Sequence, residues 1–389
     1  MKISKLTRAS CLSLLTALVS VSCSSSAPYQ PDLGEPLEVT SRRCVTVENR
    51  SGAELALCRA SRDGWHQSQP LAKGERVHLQ LLPGRYALQL ANTARRVPLP
   101  VPAEELGYRA ATTAVVAVWP WPEPDPGWCW IPSGVTLRGD DLGIGQEDER
   151  PVATLEVAGF WMAEHETSNA QYVAFLNSID RDAVEPRWLD FDGHKSHIRW
   201  DSQRSRFTTD RPQMPAVTVS WAGASAYCEW LTREAGQRHR LPSEAEWEKA
   251  ARGPGSRVYA YGDTFCSAKA NQESGRLRPI GSFAANGFGL YDMTGNAFEW
   301  TSDVYRRDAY ADAQATAPPL GEGHFMALRG GSFVLDGIFV RNSMRMRLRP
   351  QVRADDVGFR VLRESCDALR GSTSKLSQPD VRPPTLQGQ

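Results

Sequence analysis

The chain carries no surplus of charge: 45 lysines and arginines balance 45 aspartates and glutamates, for a formal net charge of zero. Reading a nucleic acid through its phosphates demands a cationic surface, so no nucleic-acid partner is expected. There is no Cys-x2-Cys pair among the 8 cysteines, which excludes the usual zinc-finger and zinc-ribbon spacings. No apolar run is long enough to cross a bilayer; the best candidate, Ala9 to Val21, has 13 residues, where a spanning helix needs about 20. Histidine is scarce as well, at 7 residues. The one His-x2-His, His194 and His197, has no acid motif beside it, so solvated or core-satisfied histidines are expected over metal ligation. What is present, 389 residues with 41% hydrophobic content, suits a globular protein of more than one domain.

The N-terminus reads as a targeting segment. Lys2, Lys5 and Arg8 precede the short apolar run, and Val21-Ser-Cys23 follows it. This resembles a bacterial lipoprotein signal, with residues 1–22 removed and Cys23 acylated. Ser24 after the cysteine points to the outer membrane, so a cell-envelope location with the membrane as a partner through the lipid is expected. Residues 23–40 are rich in Ser and Pro and read as a flexible tether.

Residues 41–118 alternate in strand-like fashion and are expected to form a small β-sandwich-like domain. Cys44-Val-Thr-Val and Glu54-Leu-Ala-Leu-Cys58 flank the turn Asn49-Arg-Ser-Gly52. Read as a hairpin, they would bring Cys44 and Cys58 close enough for a disulfide in an exported protein. Arg76 to Leu82 and Arg85 to Leu90, separated by Pro83-Gly84, read as a second hairpin. Alternate prolines in 119–126 make an extended linker. Beyond it, helices are expected over 168–177 and 221–235, and from Ser243 to Ala251, with Ser168 or Thr167, Ser220 and Ser243 as caps. Residues 365–389 are polar and rich in Pro and Gly and read as a disordered tail.

The densest signal is Asn286-Gly-Phe-Gly-Leu-Tyr-Asp-Met-Thr-Gly-Asn-Ala-Phe-Glu-Trp300, with Leu328-Arg-Gly-Gly-Ser-Phe333 after it. Trp130-Ile-Pro-Ser-Gly134, Glu164-His-Glu-Thr-Ser-Asn169, Pro215 to Trp221, Arg240-Leu-Pro-Ser-Glu-Ala-Glu-Trp-Glu248 and Gly358-Phe-Arg360 complete an ordered series. Over residues 127–364 the chain resembles the formylglycine-generating enzyme (sulfatase-modifying factor) family. The resemblance implies an α+β fold, the C-type-lectin-like one with much irregular structure, preceded here by the small all-β domain.

The resemblance also implies a site, and a departure from it. Active members place two copper-binding cysteines five positions apart just after Gly-Gly-Ser. Counting from Gly330-Gly331, those positions hold Leu335 and Val340, while Ser332 is retained. Neither hydrocarbon binds a soft metal, so copper and formylglycine synthesis are not expected. The family's calcium turn carries over to Asp292, Gly295, Ala297 and Glu299: two carboxylates and two backbone carbonyls, a donor set suited to calcium. Cys228 matches a family disulfide position whose usual partner is Val361 here, with Cys366 five residues on. After the altered pair, Arg341, Arg345 and Arg347 would either hold an anionic group in the family's cleft or pair with nearby acids inside the fold. The leading functional expectation is an exported binding or scaffold module for a protein or glycan ligand. The alternative is an oxidoreductase of the same superfamily with another cofactor.

Overall fold

The computed structural model describes residues 43–365, apart from 50, 52, 62–63, 82–83, 92–94, 102–114, 119–121, 191–194 and 312–323. The expected signal and tether (residues 1–40, with Cys23), His194 and the expected tail beyond 365 lie outside the described residues. No helix among the described residues is long and apolar enough to cross a membrane.

The N-terminal part holds seven strands: β1 (Arg43–Asn49), β2 (Leu55–Ser61), β3 (Gly64–Leu71), β4 (Arg76–Leu81), β5 (Gly84–Leu90), β6 (Arg96–Val101) and β7 (Val115–Val118). They form two sheets, β4-β1-β7 and β3-β2-β5-β6. Alternate residues meet in one core: Val47 from β1, Leu55 and Leu57 from β2, Leu79 and Leu81 from β4, Leu88 from β5 and Leu99 from β6. The strand pairing corrects both expected hairpins. β1 pairs with β4 and β7, whereas β2 pairs with β3 and β5. Cys44 and Cys58 therefore belong to different sheets, and Cys58 is a buried free thiol. β4 and β5 likewise belong to different sheets. Alternation set which face each strand buries, but a sandwich core rewards that face equally from either sheet.

The larger part follows. β8 (Trp128–Ile131) and β9 (Gly134–Arg138) lead to β10 (Ala153–Val157), β11 (Phe160–Ala163) and helix α1 (Asn169–Ser178). The hairpin β12 (Ile198–Asp201) and β13 (Arg206–Thr209) precedes α2 (Trp221–Ala235), β14 (His239–Arg240) and α3 (Glu244–Arg252). The last strands are β15 (Phe298–Val304), β16 (Met326–Arg329), β17 (Met346–Leu348), β18 (Val357–Gly358) and β19 (Leu362–Glu364). Two four-stranded sheets, β14-β19-β11-β8 and β17-β16-β15-β18, frame this part. Val135 of β9 enters the core of the β-sandwich, so the two parts share apolar packing.

The helices begin where the cap residues dictate. Ser168 accepts from the Gln171 N–H, Ser220 from Gly223 and Ser243 from Glu246. Each hydroxyl satisfies a first-turn N–H that has no partner within its helix. α2 ends at Gly236, whose φ of 66° suits a residue without a Cβ.

Candidate functional site

β16 delivers the chain to Gly330 and Gly331, both at positive φ (94° and 74°). A Cβ on Gly331 would come 2.6 Å from Val340 Cγ1, so glycine here allows Val340 to close onto the backbone. Val340 is fully buried and Leu335 is 7% exposed, and both belong to the main apolar core. Phe298 joins them there. Ser332 is fully buried too; its hydroxyl donates to Asp356 Oδ2 at 2.9 Å and accepts from the Val334 N–H. Burial pushes the Asp356 carboxyl up from its usual range, with the Ser332 hydrogen bond opposing. This corner is thus hydrocarbon with one capped hydroxyl, and the residues present do not fit copper.

Behind it lies an acidic centre. The turn that carries Asp292 (φ 56°), Gly295 (φ 80°) and Asn296 (φ 67°) is held by two backbone bonds. Gly295 N–H donates to Gly330 O and Asn296 N–H to Asn271 O, both at 2.8 Å. Glu299 is fully buried. It accepts from Trp247 Nε1 at 2.6 Å and from Arg360 Nε and Nη2 at 2.8 Å. Arg360 also donates to the backbone carbonyls of Ala163, Glu164 and Tyr291. Asp292 accepts from Gly281 N–H through Oδ2 at 2.6 Å, while its buried Oδ1 has no hydrogen-bond partner. Glu166, fully enclosed, accepts from Asn296 Nδ2 and the Ala297 N–H.

Three carboxylates, Glu166, Asp292 and Glu299, therefore interact in the interior with one guanidinium, Arg360. Uncompensated buried negative charge is costly, so the group must take up protons or a cation. Desolvation, with the charges of Asp292 and Glu299 adding to it, pushes the Glu166 carboxyl well above its ordinary value. Desolvation likewise lifts Asp292 to about 6. Among the described residues no three acid, histidine or cysteine side chains form a metal cage. The orphaned Asp292 oxygen and the surplus negative charge are nevertheless of a kind that suits a hard cation. Both oxygens of Glu299 already accept from Arg360, and one also from Trp247, so an ion at this carboxylate would compete with the guanidinium.

Of the two readings left open for the arginines, Arg341 and Arg345 take the second and pair with acids inside the fold. Arg341 binds both oxygens of Glu149 at 2.8 Å, and Arg345 binds both oxygens of Glu244 at 2.8 and 2.7 Å. Both arginines are almost wholly buried, with their donors spent on partners that a sequence cannot align. Arg347 is exposed, and its guanidinium lies 5.0 Å from the Tyr305 ring centroid. The glutamates of α3 are spent in the same way: Glu246 on Arg240, Glu248 on Arg252 and Arg329. His197 lies 3.8 Å from Asp210. Cys228 is a buried free thiol, and desolvation pushes its pKa up.

Glu166 and Arg360 were missed as members of the centre. Both stand in quoted motifs, but the convergence of three distant segments has no signal in local spacing.

Residues 119–365 match the family model described as the sulfatase-modifying factor enzyme 1-like domain. The chain is 30% identical to the formylglycine-generating enzyme of Streptomyces coelicolor, over 63% of this chain and 91% of that protein. It is 35% identical to a protein of Chlamydia trachomatis named serine/threonine-protein kinase Pkn1, over 60% of this chain. The match spans only 38% of that relative's length. Among solved structures, PvdO from Pseudomonas aeruginosa superposes with a TM-score of 0.51 at 29% identity, over 62% of this chain and all of that one.

Proposed function

Because this chain belongs to the sulfatase-modifying factor enzyme 1-like family, we propose that it is an exported, lipid-anchored binding or scaffold protein whose fold has exchanged the copper thiolate pair for hydrocarbon. The observation that carries this reading is the burial of Leu335 and Val340 in the core. Copper oxidation of a cysteine needs two thiolates converging on one soft ion. Two apolar side chains at those positions supply packing, about 1.5–3 kcal/mol each when fully sequestered. Ser332 offers no substitute, since its hydroxyl is enclosed and donates to a carboxylate.

Calcium belongs to the same proposal as a structural ion. Asp292 through its open oxygen, Glu299, and the carbonyls of Gly295 and Ala297 would hold it. It would supply charge balance for the acidic centre and fix the turn beneath the Gly-Gly-Ser corner.

The test is a titration of Cu(I) against a competing chelator under reducing conditions. The wild type is expected to show no high-affinity site, and the double variant Leu335→Cys, Val340→Cys to gain one. A tight stoichiometric site in the wild type would overturn the reading. A double variant that folds yet gains no copper would show that these positions do not correspond to the family's cysteine pair.

A further inference from the structure

A cleft of about 350 Å³ opens between the β-sandwich and the larger part, away from the Gly-Gly-Ser corner. Its volume lies at the lower end of those that hold small ligands. Four cationic side chains line it, Arg96, Arg252, Arg257 and Lys269, and no carboxylate does. Arg96 comes from the head of β6, and the other three come from the larger part. The cleft is therefore complete only when the two parts are packed together.

The four cations are not equivalent. Arg252 is buried, and its donors go to Glu248, Asp141 and the carbonyls of Gly139 and Arg257. It closes the wall and keeps little to offer a ligand. Arg257 reaches Asp263 through Nη1 at 2.6 Å and is partly exposed. Arg96 donates through Nε to Gln89 at 3.0 Å, from the sandwich side. Lys269 is exposed and makes no ion pair among the described residues; its ammonium lies 5.8 Å from the Tyr261 ring centroid. Tyr261 stacks on Tyr259 with centroids 5.5 Å apart and planes at 7°, which fixes the ring as a flat wall. The last turn of α3 would bring partial negative charge nearby. Asn286 Nδ2 caps the carbonyls of Ala250 and Ala251 at 2.8 and 3.2 Å, which takes up two of those acceptors.

We infer that this cleft binds a small anionic molecule, a phosphate or carboxylate joined to a flat ring. The anionic group would sit among Arg96, Arg257 and Lys269, and the ring would lie against Tyr261. Guanidinium and ammonium donors give charge-assisted bonds to such an oxyanion, and the aromatic wall adds apolar contact. Since Arg96 belongs to β6, the ligand also ties the sandwich to the larger part.

Calorimetric titration of the full chain with phenyl phosphate and with inorganic phosphate tests this. Phenyl phosphate is expected to bind saturably and more tightly than inorganic phosphate. Lys269→Gln, at an exposed position, is expected to weaken binding about tenfold, the loss of one charge-assisted bond. Arg96→Gln should do the same, and Tyr261→Leu should erase the preference for the ring. Binding should also slow hydrogen exchange across residues 96–101. Absence of saturable heat with both probes, or Lys269→Gln binding at wild-type affinity with unchanged melting, would overturn the inference.

Discussion

Asp292 and Glu299 sit seven residues apart in one turn region and have different surroundings. Glu299 has Arg360 and Trp247 on its oxygens, whereas Asp292 keeps one buried oxygen without a partner. Desolvation, the largest cause, lifts Asp292 to about 6. A raised folded pKa gives stability that is present below the unfolded value, near 4, and lost as pH rises through about 6. In calcium-free protein, Asp292 is thus expected to cost on the order of 2–3 kcal/mol at pH 7 relative to pH 4. The difference in stability between wild type and Asp292→Asn, followed from pH 4 to 7, isolates that contribution. Calcium requires the ionised carboxylate, so chelator should lower the melting temperature at pH 7 and much less at pH 5. Identical melting with and without chelator at pH 7 would remove calcium from the account. That Asp292 and Glu299 fall in one glycine-rich turn region was legible in the sequence. Glu166 and Arg360 were not, because their approach depends on three segments meeting in the interior.

Helix starts were the most legible elements. A serine hydroxyl placed before an apolar periodic run has one local use, and Ser168, Ser220 and Ser243 each serve it. Ser243 does so within a capping box whose Glu246 also pairs with Arg240 at 2.7 Å. Ser243→Ala is expected to cost about 1 kcal/mol, within the usual range for caps, measured by chemical denaturation. A cost near zero would mean that the Arg240–Glu246 pair alone holds the helix start. Strand partners were less legible. The expected Cys44–Cys58 hairpin had the right turn and the right alternation, yet β1 and β2 joined different sheets. Hydrophobic alternation specifies a buried face, while the partner is chosen by the packing of the whole sandwich. The arginine run after Val340 shows the same limit: Arg341 and Arg345 turn inward because Glu149 and Glu244 wait there, more than a hundred residues away.

At the scale of the whole molecule, ordered motifs from Trp130 to Arg360 were enough to place the larger part in its family, and residues 119–365 match. Function is less legible at this scale, because the fold serves many sites and the chemistry rests on a few positions. The proposed lipid anchor is checked by mass spectrometry of the mature N-terminus: diacylated or triacylated Cys23 is expected, and an unmodified terminus elsewhere would exclude it. The central claim is that a fold built around copper thiolates persists here without them, with Leu335 and Val340 packed in their place. The most direct measurement incubates the purified protein with copper, oxygen and a cysteine-containing sulfatase peptide, then follows the peptide mass. The account predicts that the cysteine is not converted to the aldehyde; accumulation of formylglycine peptide over repeated turnovers would contradict it.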